Sequence, residues 1–133
     1  MPDKKQVRAA IERHVAYWNA GQRGDWIANF SEDVVFNDPV GSPPKHGREA
    51  AQASWDNSFT DGQAWTLELT SLVVCADEAA ITLNNHGQVG GKDFIMQGIE
   101  IWKVDSDGLV CEVRAYFEPP EDIELDPYFG RDS

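Results

Sequence analysis

The chain has 133 residues, 41% of them hydrophobic and 26% charged, with 11 basic against 23 acidic side chains and a net charge of −12. That length suits one domain, residues 1–133, with enough apolar material to close a core without cross-links or metals. The acidic balance repels phosphate backbones, which excludes nucleic acid as a partner and disfavours strongly anionic substrates while leaving neutral, apolar ones indifferent to the field.

Along residues 5–20, helical spacing sets Val7, Ile11, His14 and Trp18 on one stripe, flanked by Ala10, Tyr17 and Val15, which predicts an amphipathic helix stopped by Gly21. Asp25 is expected to cap a second short helix carrying Trp26, Ile27 and Phe30. Residues 34–38 then alternate as a strand, with Val34, Phe36 and Asp38 on the more apolar face, and Pro39 with the Gly41-Ser42-Pro43-Pro44 run ends it at the carboxylate. A third helix is predicted over 48–59, with Ala51, Trp55 and Phe59 spaced by fours. Strand patterns follow at 65–70, 72–75, 78–86, 93–104 and 109–118, separated by turns at 76–77, 87–91 and 105–108. Helices first and hairpin-linked strands after them make an α+β domain, a mostly antiparallel curved sheet with helices on one face. The core is expected over about 5–118. Residues 119–133 read as an acidic C-terminal tail, six acids and three prolines falling between Glu118 and Ser133.

Phosphate-binding, zinc-protease, nucleophile-elbow and dinucleotide motifs are absent from the sequence, so no cofactor and no metal is expected. Cys75 and Cys111 stand 36 residues apart with no metal-ligand spacing and read as two reduced core thiols. No apolar run is long enough to cross a membrane, and the N-terminal residues lack the apolar stretch of a secretory signal, so a cytoplasmic protein with no membrane partner is expected.

Three ionisable residues sit where the hydrophobic pattern disfavours them. Asp38 ends an apolar strand face beside a proline-rich rim, where lost solvation would raise its pKa towards that of a general base; the alternative is an Asp-Pro turn capping a neighbouring backbone group. Glu100 shares a strand face with Phe94, Met96, Gly98 and Trp102, while Ile95, Ile99 and Ile101 face the other way, so both faces are apolar. A carboxyl buried there stays protonated and donates a hydrogen bond, unless it pairs across the sheet or at a subunit contact. His14 is central to the first helix's stripe, as a catalyst or as a satisfied core residue, and Tyr17 on the flank competes for a donor role. His46 and His86 read as surface.

The stretch from Arg13 to Gly21, then Trp26 to Pro44, the Gly47-Arg48-Glu49-Ala50-Ala51 helix and the late segments 99–104 and 113–117 resemble bacterial Δ5-3-ketosteroid isomerases of the NTF2-like, or SnoaL-like, superfamily. The similarity covers about residues 5–118, and Asp38-Pro39-Val40-Gly41-Ser42 is its most specific part. The resemblance implies a cone-shaped fold, a bent sheet wrapped around helices to enclose an apolar pocket, and dimerisation through the outer sheet face. It implies that Asp38 is the base moving a proton from carbon 4 to carbon 6 of a 3-oxo-Δ5-steroid. The family's two oxyanion donors, a first-helix tyrosine and a protonated aspartate of the penultimate strand, correspond to His14 and Glu100 here. Trp55 stands where relatives carry a pocket tyrosine, and Ser54 where a phenylalanine is often found.

The resulting expectation is an isomerase-like enzyme acting on a small neutral hydrophobic substrate, with Asp38, Glu100 and His14 as the catalytic set. Tyr17, Val34, Trp55, Met96, Trp102 and Phe117 are the expected substrate-binding residues, around a closed apolar cavity in a homodimer. The other readings are a dimeric ligand-binding protein without catalysis and a cyclase or hydratase of the same superfamily.

Overall fold

Helical stripes and strand alternation resolve into α1 (Lys4–Asn19), α2 (Arg23–Ala28), β1 (Phe30–Asn37), β2 (Lys45–His46), α3 (Gly47–Ser58), β3 (Ala64–Cys75), β4 (Glu78–Val89), β5 (Lys92–Val104) and β6 (Val110–Phe117). The computed structural model describes residues 1–122, so the expected tail beyond Asp122 lies outside the described residues. One six-stranded sheet runs in the order β2-β1-β6-β5-β4-β3. Every pairing is antiparallel except β1 with β6. This is the α+β arrangement the sequence predicts. Among the described residues, no helix is long and apolar enough to cross a membrane.

The first helix is fixed at both ends by short polar side chains. Asp3 accepts from the Gln6 backbone at 2.8 Å, and the Gln6 side chain accepts from the Asp3 backbone at 2.9 Å, a reciprocal cap that satisfies two otherwise free donors. Gly21, at φ +71°, takes the left-handed step that ends the helix. Just before it, Asn19 grips β3, donating to the Leu67 carbonyl and accepting from the Leu67 N–H at 2.8 Å each. Trp18 adds an N–H donated to the Trp65 carbonyl at 3.1 Å. The stripe of α1 is therefore pinned over the concave face of the sheet, where Val7, Ile11, Phe30, Val34, Ile81, Leu83, Val104 and Val110 are fully buried.

Four details differ from the sequence reading, each for a local reason. Asp25 lies inside the first turn of α2 instead of capping it; Gln22 holds the cap position and makes no side-chain bond there. Phe30 opens β1 instead of closing α2, because its backbone pairs with Val110 and its ring is wholly buried. The patterns at 65–70 and 72–75 form one strand, with a register shift between Leu69 and Ser71 that lets both Thr70 and Ser71 hydroxyls meet Thr82 at 2.6 Å. The two cysteines are free as expected, but Cys75 is exposed and Cys111 half-buried, since Cys75 shares the outer face of β3 with exposed Val73.

An aromatic cluster fills the space between the helices and the sheet. Trp18 packs edge-on against Trp26 and Trp55, with ring centroids 5.0 and 4.7 Å apart, and Trp26 does the same against Phe30 at 4.7 Å. Further out, Trp65 and Phe94 meet edge to face at 5.5 Å across Gly87, where an added Cβ would lie 2.8 Å from the Trp65 ring. The outer sheet face carries exposed Ile95 (59%), Ile99 (52%) and Tyr116 (46%), the residues alternation places opposite the concave face.

Candidate active site

A cavity of about 350 Å³ lies between α1, α3 and the concave face of the sheet, and His14, Asp38, Glu100, Met96, Trp102 and Phe117 line it. Three separate segments therefore bring the three ionisable residues to one space: α1, the turn after β1, and the middle of β5. Its opposite end carries Asn57, Ser58, Thr60 and Gln63. Asn57 and Thr60 are exposed, so the cavity opens to the surface there and is not closed as expected.

Asp38 is held by the turn that ends its strand. Ser42, nearly fully buried, donates its hydroxyl to the Pro39 carbonyl at 2.7 Å, and its N–H meets the same oxygen at 3.1 Å. The Val40 N–H donates to the Ala115 carbonyl at 2.8 Å, which fastens the turn to β6. The Asp38–Pro39 bond is cis. Loss of solvation raises the Asp38 pKa, and the positive charge of Lys45 opposes part of that rise.

Glu100 follows from strand periodicity. Register aligns it with Ile81 on β4 and Ala115 on β6, between apolar neighbours. Desolvation first, then the charge of Asp38, push its pKa up to about 8, against the lowering effect of the Trp102 N–H that donates to its Oε1 at 2.8 Å. Asp38 ionises first, so it meets a neutral partner while Glu100 meets a charged one. At neutral pH Glu100 therefore keeps its proton, and Asp38 is the first of the two to lose one.

His14 is 5% exposed, and burial lowers its pKa to about 3, so the ring is neutral. Its Nδ1 accepts the Trp26 N–H at 2.9 Å, which puts the ring hydrogen on Nε2. Nε2 is sealed from solvent and has no hydrogen-bond partner among the described residues. The imidazole rests on Trp102 with ring centroids 4.0 Å apart.

Three of the expected binding residues lie elsewhere. Val34 is completely buried in the core beneath α3, two residues down the strand from the cavity wall that Phe36 forms. Trp55 points into the aromatic cluster, 4.7 Å from Trp18 and 5.3 Å from Phe59, because α3 turns its Ser54 and Ser58 side to the cavity. Tyr17 sits on the opposite flank of α1, in a surface depression with Arg13 and Asn29. The sequence reading missed Phe36, Trp18, Trp65, Leu67, Val113 and Asn85 as lining residues. The signal for Phe36 was available, since it shares a strand face with Asp38. Among the described residues, no group of three or more His, Cys, Asp or Glu side chains is placed to hold a metal.

Residues 11–113 match the SnoaL-like domain, and the chain belongs to that family. It is 25% identical over 114 residues to a steroid Delta-isomerase from Nocardioides simplex, covering 86% of this chain and 91% of that one. Among solved structures it is similar to the epoxide hydrolase/cyclase-like enzyme SalBIII of pyran ring formation in the polyether salinomycin. That likeness has a TM-score of 0.80 at 18% identity and covers 89% of this chain and 95% of the other. A computationally designed 17-OHP binder gives a TM-score of 0.75 at 25% identity, over 86% and 92% of the two chains. The chain thus has the NTF2-like fold, which it shares with the epoxide hydrolase/cyclase-like enzyme.

Proposed function

We propose that the protein is an isomerase that moves a proton between carbons conjugated to a carbonyl on a neutral, steroid-like substrate. The observation that carries this reading is the convergence of two buried carboxyls and a neutral imidazole on one largely apolar cavity. Asp38 is the carboxylate, and Glu100, with a pKa of about 8, is the acid. Asp38 takes the proton from the carbon next to the carbonyl, and the electron pair of that C–H bond shifts towards the carbonyl oxygen. The Glu100 O–H and the His14 Nε2–H donate to that oxygen as charge develops. Asp38 then returns the same proton to the far carbon of the displaced double bond, leaving the enzyme unchanged. Removing one donor of this kind typically costs ~10²–10³ in rate, and substrate binding must uncover the sealed His14 Nε2–H before it can donate. A neutral imidazole suits this task because it donates without adding a charge that would lower the basicity of Asp38. Similarity to a steroid Delta-isomerase supports the substrate class.

The test is conversion of a 3-oxo-Δ5-steroid, followed by the rise of conjugated-enone absorbance, in wild type and Asp38→Asn. The amide fills the same volume and takes no proton, so turnover should fall by several orders of magnitude while a phenolic steroid still binds. Turnover in Asp38→Asn equal to wild type, or none in wild type, overturns the assignment.

A further inference from the structure

The inner face of β4 reads Ala79, Ile81, Leu83, Asn85 and Gly87, so Asn85 is the polar break in an apolar row, and it lines the cavity. Its amide orientation is fixed by the fold. Nδ2 donates to the Met96 carbonyl at 3.0 Å, and Gly98 leaves the space that group occupies, since a Cβ there would come within 3.0 Å of it. Met96 takes one of the two Nδ2 hydrogens, and Oδ1 has no hydrogen-bond partner among the described residues, so the amide offers a ligand an open acceptor beside one remaining N–H. Asn85 is therefore a pre-oriented acceptor.

Its place in the sheet gives the distance. Asn85 is in register with Met96 on β5, and Ile81 with Glu100. Four residues at ~3.3 Å of rise put the Asn85 row ~13 Å along the sheet from the Glu100 row. That span matches a rigid fused-ring skeleton carrying an oxygen at each end, one of them at Glu100 and His14.

We propose that Asn85 is a specificity residue that accepts a hydrogen bond from a hydroxyl at the far end of the ligand, so the site selects a far-end alcohol over the corresponding ketone. This rests on the steroid-like reading of the cavity. A hydroxyl donates to Oδ1, whereas a ketone, which can only accept, leaves Oδ1 unpaired even where it meets the remaining N–H.

The experiment titrates the whole protein with two phenolic steroids differing only at the far end, estradiol with its 17β-hydroxyl and estrone with its 17-ketone. Binding is read by quenching of the fluorescence of Trp18, Trp65 and Trp102, which line the cavity. Wild type should bind the alcohol roughly three- to tenfold more tightly, as one neutral hydrogen bond gives. Asn85→Leu should bring the ratio to about one, chiefly by weakening the alcohol. Equal affinities in wild type, or a ratio that survives in Asn85→Leu, overturn the role of Asn85 and leave the isomerase reading standing. If neither steroid binds wild type, both assignments fall together. The wild-type comparison decides the matter even if the variant does not fold.

Discussion

Glu100→Gln isolates the cost of keeping a carboxyl neutral inside the cavity. Glu100 titrates near 4.5 when unfolded and at about 8 in the fold, so between those values the native state holds a proton the unfolded chain has lost. Stability therefore falls as pH rises through that window, by about 5 kcal/mol in all at about 1.4 kcal/mol per pH unit. His14 runs the other way. With 6.5 unfolded and about 3 folded, its contribution is complete above 6.5 and is lost as pH falls through the window. From 4.5 to 6.5 the two slopes cancel. Between 6.5 and 8 His14 no longer opposes it, and Glu100 removes about 2 kcal/mol.

Glutamine keeps the acceptor for the Trp102 N–H and still donates to a ligand, but it does not titrate. Urea unfolding of wild type at pH 6.5 and pH 8 should show that loss, and Glu100→Gln should lose about 2 kcal/mol less than wild type across the same interval. Isomerase activity of wild type should fall as pH passes about 8, where the donor proton leaves, and the variant should lack that limb. Parallel pH dependence in the two proteins would refute the reasoning.

Other expectations follow from single contacts. His14→Phe removes the Nε2–H donor and should lower turnover ~10²–10³-fold with substrate binding changed far less, measured as kcat against KM. Ser42→Ala breaks the 2.7 Å bond to the Pro39 carbonyl and should cost about 1 kcal/mol in urea unfolding, with reduced activity because Asp38 is less firmly placed. Gly87→Ala drives a methyl to within 2.8 Å of the Trp65 ring and should destabilise the fold by about 1–3 kcal/mol in the same assay. We also propose that exposed Ile95, Ile99 and Tyr116 are covered by a second copy of the chain. Sedimentation should then give a dimer in wild type and a monomer in Ile99→Lys.

Periodicity carried much of the fold because burial here follows it closely. The stripe on α1, the alternation on β5 and the turn at Asp38-Pro39 each have a one-dimensional signature, and these three features supply the residues that meet in the cavity. The sequence did not reveal which apolar residues line that cavity and which fill the core. Val34 and Phe36 share a strand face, yet only Phe36 reaches the cavity, a distinction set by where α3 crosses the sheet. Trp55 and Ser54 are likewise neighbours on one helix, and a rotation of one residue decides which faces the cavity. The Trp26 N–H that fixes the His14 tautomer joins residues from two helices, a contact no spacing rule reports. Asn85 left a trace, a polar residue in an apolar row, whose meaning depends on Gly98 of the next strand.

The pairing of a charged Asp38 with a neutral Glu100 is most directly tested by carbon-13 NMR of the side-chain carboxyls across pH, assigned with Asp38→Asn and Glu100→Gln. The account predicts that Glu100 ionises near pH 8, after Asp38, and that its pKa drops in Asp38→Asn once the neighbouring charge is gone. A Glu100 resonance that titrates near 4.5 in the folded protein, unmoved by Asp38→Asn, would contradict it.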